Sequence, residues 1–133
     1  MKDISMKTIA GAVAGILSYF LGGFDLALQT LLFFMVVDYI TGTIKAVMKK
    51  ELDFQKSAEG FAKKVMYLVV VAVAVRIDLL TGANGTIRIF AIYGYIGTEI
   101  YSITQNLIVM EVIPENIAKY FKTYSEGLMK VEK

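Results

Sequence analysis

From Leu26 to Ile44 the chain reads LALQTLLFFMVVDYITGTI, and Asp38 is the only charge in that run. A helix that crosses a bilayer takes ~20 consecutive, mostly apolar residues. A surface helix of a soluble protein would instead carry charge along one face, and here charge is missing from nearly every face. The run therefore predicts a membrane helix over about 26–45. Working outward, one similar segment precedes it, at about 8–24 between Lys7 and Asp25. Two follow, at about 64–81 and 88–110; the third holds Arg76 and Asp78, and the fourth holds Glu99.

Composition agrees. Of 133 residues, 56% are hydrophobic and 20% charged, against about 25% charged in an average soluble domain. A soluble domain this small exposes much of its surface and needs polar residues to cover it. The sequence thus predicts an all-α integral membrane protein forming a single membrane domain over 1–133, and argues against a disordered chain or two soluble domains. Cysteine and histidine are both absent, which removes disulfides, thiolate chemistry, zinc sites of those ligands and histidine acid–base catalysis. No glycine-rich phosphate loop, HExxH or nucleophile elbow occurs. The expectation is a protein that is not an enzyme, with no catalytic, metal or cofactor residues. The carboxylates at 38, 78 and 99 could hold a cation, but their spacing does not ask for one.

The lysines set the topology. All twelve fall before segment one, in the stretch 45–64 or in the tail after 110. Lysine-rich flanks stay cytoplasmic. The expected arrangement is N-in and C-in, with four transmembrane helices as two antiparallel hairpins. Turns at Gly22–Asp25 and Thr81–Thr86 lie outside; a loop at 46–63 and an amphipathic tail at 111–133 are cytoplasmic. Three spans plus an interfacial segment is the other arrangement the pattern permits. The amino terminus resembles a signal peptide, but no convincing small-x-small cleavage site follows, so retention is expected. The lysine-rich loop reads as a topology signal and an anionic-lipid contact rather than a nucleic-acid site.

Within the segments a few residues stand out. Gly11, Gly15, Ser18 and Gly22 share one helical face, and small faces let helices approach closely in lipid. That stripe reads either as a self-association face or as a contact inside the protomer. Asp38 would be costly against acyl chains. It should face protein or water, with Thr41, Gly42 and Lys45 nearby on its helix. In segment four, Tyr95, Glu99, Ser102 and Asn106 form a polar stripe, with Gln105 beside it and Gly94 and Gly97 able to admit a neighbour. That stripe fits helix–helix contact or a water-lined lumen equally well. Counted from the inner boundaries, Arg76 would pair with Glu99; counted from the outer turn, Asp78 would meet Arg88. After Pro114, the residues Ile117, Tyr120, Phe121, Tyr124 and Leu128 recur at helical spacing. They predict a helix lying on the inner leaflet or capping an oligomer.

Taken together, Val37-Asp38-Tyr39-Ile40-Thr41-Gly42, Lys56-Ser57-Ala58-Glu59-Gly60-Phe61-Ala62-Lys63-Lys64, Ile77-Asp78, and Glu99, Ser102 and Asn106 followed by Pro114 resemble the phage holin family that includes the clostridial toxin-secretion holin. The likeness spans about residues 26–118. It departs at Thr98-Glu99-Ile100-Tyr101-Ser102, where the family often reads Asn-Glu-Gly-Leu-Ser, and at Gln105-Asn106, where it reads Glu-Asn. Segment one matches only in character. The resemblance implies a multi-pass protein of the bacterial cytoplasmic membrane that assembles with itself and opens lesions at a set time. A peptidoglycan hydrolase (endolysin) then reaches the wall without needing direct contact, or a toxin leaves. The resemblance implies no enzymatic activity, no cofactor and no nucleic-acid partner. The competing readings are a small ion or proton channel or transporter subunit using the same carboxylates, and a non-pore antiholin. Trigger or lumen-lining candidates are Asp38, Thr41, Gly42, Arg76, Asp78, Glu99, Ser102 and Asn106.

Overall fold

The computed structural model of the chain describes residues 2–130, all in helices and their connections; the end of the expected tail, Lys133, lies outside the described residues. The helices are α1 (Lys2–Phe20), α2 (Leu26–Met48), α3 (Phe54–Thr81), α4 (Thr86–Val109) and α5 (Glu115–Lys130). Their ends follow from local chemistry. The Asp25 carboxylate accepts the Leu28 N–H at 3.0 Å to open α2, and Asp53 accepts the Gln55 N–H at 2.9 Å to open α3. Each supplies a partner that the first turn of a helix lacks. Gly82, at φ +70°, ends α3 in the left-handed conformation that favours glycine. Pro114 opens α5, its carbonyl accepting from Ile117 and Ala118, where the missing proline N–H costs nothing.

α4 is the central helix. It packs most extensively against α2 and α5 and less against α3, while α2 and α3 touch at few points. α2 presents Leu28, Leu31 and Met35, then Asp38, at alternating steps of three and four. α3 presents Lys64, Tyr67, Val71, Ala74 and Asp78 with the same rhythm, the face that a helix turns to its neighbours. Leu31, Met35, Val71, Ile92 and Ile96 form the buried apolar core. Hydrogen bonds join Asp25 to Arg88 at one end and Asp38 to Asn106 at the other, so α2 and α4 run parallel, with α3 antiparallel to α4.

Several expectations change. The first hairpin is not packed: α1 makes only marginal contact with the other helices, and a Cβ at Gly11 or Gly15 would meet nothing within 4 Å. No charged side chain lies between Thr8 and Phe20, so no ion pair draws that stretch of α1 into the bundle, and in lipid apolar surface alone gives no such pull. α1 ends at Phe20, so Gly22 leaves the small-residue stripe for the turn. The loop 46–63 is helical from Phe54 onward, because Asp53 caps a stretch whose charges had read as loop. α5 packs against α4 through Ala118, Ser125 and Leu128, while Ile117, Tyr120, Phe121 and Tyr124 stay exposed. The small side chains permit close approach, which the aromatic ones would not.

Large apolar side chains cover the outside: Phe33 is 63% exposed and Leu80 86%. Among the described residues, α2 alone is long and apolar enough to cross a bilayer by length and composition, and only 6% of its most apolar stretch is buried inside the protein. The core helix of a soluble domain would be mostly buried. An apolar exterior of this extent marks contact with a membrane or with other protein surface.

Candidate functional site: a buried ion cluster on the central helix

Two polar clusters bracket the apolar core. At the inner one, Lys64 on α3 donates from Nζ to Asp38 Oδ2 of α2 at 2.7 Å and to Glu99 Oε2 of α4. Asn106 Nδ2, two turns further along α4, donates to Asp38 Oδ1 at 3.0 Å and to Thr41 Oγ1 at 2.9 Å. The side chains of Glu99, Asp38 and Lys64 are 2%, 12% and 13% exposed. One cation thus binds carboxylates from two other helices. Gly42 lies beside the cluster, where a Cβ would make an ordinary contact with Asn106 Nδ2 at 3.6 Å. The rings of Tyr67 and Tyr95 stack with centroids 4.1 Å apart, one turn from Lys64 and Glu99 on the core side. They separate the charges from the core. On the other side a cleft of about 660 Å³, lined by Asp38, Gly42, Lys64, Ser102 and Asn106 among others, opens toward the α2–α3 connection.

At the outer cluster Arg88 is the hub. Its guanidinium donates to Asp25 Oδ2 at 2.7 Å and Oδ1 at 3.0 Å, to the Leu21 carbonyl at 2.6 Å and to the Gly23 carbonyl at 3.0 Å. This bidentate fork is the strong form of ion pair. It holds the Asp25 carboxyl below its ordinary pKa. Gly22, at φ +82°, makes room: a Cβ there would sit 2.5 Å from Arg88 Nε. Asp78 accepts the backbone N–H groups of Ile87 and Arg88, both at 2.9 Å, capping α4 from the end of α3.

Asp38, Thr41, Gly42, Glu99 and Asn106 therefore converge at the inner cluster, and Ser102 lines the cleft beside them. Neither expected pairing forms as such. Glu99 meets Lys64, not Arg76; Asp78 meets the backbone of Arg88, whose side chain goes to Asp25. Arg76 is exposed and lies over the Phe20 ring, 5.6 Å from its centroid. Ser18 is partly buried at the end of α1. Lys64 and Asp25 are the members that sequence reading passed over, and Arg88 was expected only as a partner of Asp78. Each stands at the edge of an apolar run, where a charge reads as a boundary. The signal available was Lys64 in register with Val71 and Asp78, and two carboxylates, Asp38 and Glu99, set within apolar runs.

A profile of the bacteriophage holin family matches residues 15–126. An uncharacterised protein of Clostridium acetobutylicum is 38% identical over 86% of this chain and 93% of its own. An uncharacterised 14.9 kDa protein from the nagH 3' region of Clostridium perfringens is 40% identical over 79% of this chain and 81% of its own. A protein of Bacillus phage phi105 named "Probable holin" is 38% identical over 60% of this chain and 59% of its own. No solved structure matches the chain. The match across α2 to α5, with the ion cluster inside it, shows that this chain belongs to the bacteriophage holin family, whose members are membrane-permeabilising proteins without enzymatic activity.

Proposed function

We propose that the chain assembles with itself in the bacterial cytoplasmic membrane and permeabilises it non-selectively, releasing an endolysin to the wall or exporting a toxin. The single observation that carries the reading is the buried Lys64–Asp38–Glu99 cluster within a chain of the holin family. A four-span, N-in and C-in arrangement accompanies it. α3 and α4 carry charges that an isolated spanning helix tolerates poorly. Lys64, Asp78, Arg88 and Glu99 are turned inward and satisfied by one another, Asp25, Asp38 and the backbone, so lipid meets mainly apolar side chains.

In dilute protomers the cluster holds α2, α3 and α4 together, and α1 projects with Gly11, Gly15 and Ser18 toward other copies. At high density, intermolecular contacts replace the inward ones and the polar faces of α2 and α4 line water. The membrane potential acts on each charge at about 2.3 kcal/mol per 100 mV, enough to tip a balanced pair of states.

The test is to produce the chain alone in bacteria and follow growth, membrane potential and release of a cytoplasmic enzyme. Loss of potential together with enzyme release supports the proposal. Selective ion flux without enzyme release would instead make it a channel subunit, and insertion without leakage an antiholin. Because the chain has no cysteine, single cysteines introduced at Ala83 and Glu51 report the topology. Only the first should react with an impermeant reagent in intact cells.

A further inference from the structure

α5 lies where a helix of its composition is costly to leave against lipid. The connection 110–114 turns the chain back on itself. The Lys122 ammonium stands 5.7 Å from the centroid of the Tyr101 ring, and Leu128 packs against the apolar core that includes Ile92 and Ile96. α5 is therefore antiparallel to α4, and its far end passes the level of Glu99. Its 16 residues cover ~24 Å of α4 at about 1.5 Å per residue, against ~30 Å for the hydrocarbon core of a bilayer. Where α4 crosses a membrane, α5 accompanies it for most of the way.

The helix has two unlike flanks. At about 100° per residue, Ala118 and Ser125 fall on the side that meets α4, and both are buried. Glu115, Lys119, Glu126 and Lys130 lie to one side of that contact, Phe121 and Tyr124 to the other, and all are exposed. Among the described residues none of the four charges makes an ion pair. Charges at membrane depth are expensive against acyl chains, so this flank needs water or protein beside it. A second copy is the poorer match. Copies inserted with one topology are related by an axis along the membrane normal, so two such flanks would meet in parallel with like charges level. Alternation of sign along a helix is instead the pattern of a solvated face.

We propose that α5, docked on α4, forms part of the wall of the aqueous lumen, with Lys119, Glu126 and Lys130 turned to water and Phe121 and Tyr124 to acyl chains. The inference rests on the permeabilisation reading and its four-span arrangement. A dilute protomer has no lumen, so there the charged flank requires α5 to leave α4 for the inner leaflet, as amphipathic helices do. Docking then accompanies assembly.

The test uses the full chain, which has no cysteine of its own, with single cysteines carrying a small fluorophore and reconstituted into vesicles. Lys119→Cys and Glu126→Cys read the charged flank; Phe121→Cys and Tyr124→Cys read the aromatic one. Iodide in the buffer reports contact with water. Lipids brominated near the headgroup or at mid-chain report contact with lipid at those two depths. In vesicles that leak, iodide should quench the charged-flank labels and mid-chain bromine should not. The aromatic-flank labels should be quenched more by mid-chain bromine than by bromine near the headgroup. At protein densities too low for leakage that preference should reverse. Circular dichroism checks that each variant keeps its helices, with Lys130→Cys and Tyr120→Cys as replacements on the two flanks. Three results would overturn the inference: an aromatic flank that stays shallow in leaking vesicles, one already deep in vesicles that do not leak, or a charged flank shielded from iodide, as contact between copies would give. Leakage measured on the same vesicles keeps the two claims apart. Leaking vesicles with shallow labels defeat only this inference; vesicles that leak at no density defeat the permeabilisation reading and this inference with it.

Discussion

Replacing Lys64 with methionine probes the inner cluster most sharply. The substitution keeps most of the bulk of the side chain but removes the ammonium shared by Asp38 and Glu99. Two carboxylates, 12% and 2% exposed, are then left close together, with the Asn106 amide still donating to Asp38. Breaking a buried ion pair by removing one partner costs about 3–5 kcal/mol, while whole domains are stable by about 5–15 kcal/mol. Lys64→Met should therefore lose about a fifth or more of the total. Adding Asp38→Asn and Glu99→Gln removes the stranded charges, and this triple variant should recover most of the loss. The assay is loss of helical circular dichroism on heating in one detergent at fixed protein concentration. In cells the same single variant should shift the onset of permeabilisation at matched expression. If Lys64→Met unfolds within ~0.5 kcal/mol of the unaltered chain, the size of an ordinary surface substitution, the three groups are not the lock described.

The other expected outcomes can be stated briefly. Asp78→Ala removes the carboxylate that caps α4 and should cost about 1–2 kcal/mol in the same melt, with part regained by Asp78→Asn. Asp25 is held below its ordinary value of 3.8 chiefly by its hydrogen bonds to Arg88. A carboxyl depressed in the folded state adds stability that is present above the unfolded value and lost as pH falls through the folded one. The clamp should accordingly be intact at neutral pH and weaken below pH 3.8, and Arg88→Met should abolish that part of the acid sensitivity in melts across the range. Gly11→Leu with Gly15→Leu should leave the melting of the isolated protomer unchanged, since nothing lies within 4 Å of either glycine. It should reduce chemical cross-linking between copies in membranes, and unchanged cross-linking would remove α1 from the assembly face.

Much of this arrangement is legible in the residues. The α2 stripe of Leu28, Leu31, Met35 and Asp38 repeats with helical period, and Glu99 with Asn106 does the same on α4. The need for Asp38 and Glu99 to face inward follows from the cost of a carboxylate in hydrocarbon. What could not be read is which elements meet. Lys64 looks like the border of a membrane segment because it adjoins Lys63 and follows a charged stretch; only the α3 register, running back to Phe54, puts it inside. Arg88 looks like a flank for the same reason, until the turn at 21–25 folds back to receive it. α5 shows an aromatic face whose spacing says helix, but spacing does not say whether that face or its small one meets α4. The parallel packing of α2 on α4, rather than of α2 on α1, depends on polar groups finding partners across the bundle, which no single helix encodes.

The central claim is that copies of this chain, brought to sufficient density in a bilayer, open it to molecules of any kind. Purified protein reconstituted into vesicles that enclose both a small dye and a folded enzyme tests it directly as the protein-to-lipid ratio is raised. The account predicts that above a threshold ratio both cargoes escape together, and that Gly11→Leu with Gly15→Leu moves the threshold upward. Escape of the dye with the enzyme retained at every ratio, or retention of both, would contradict it.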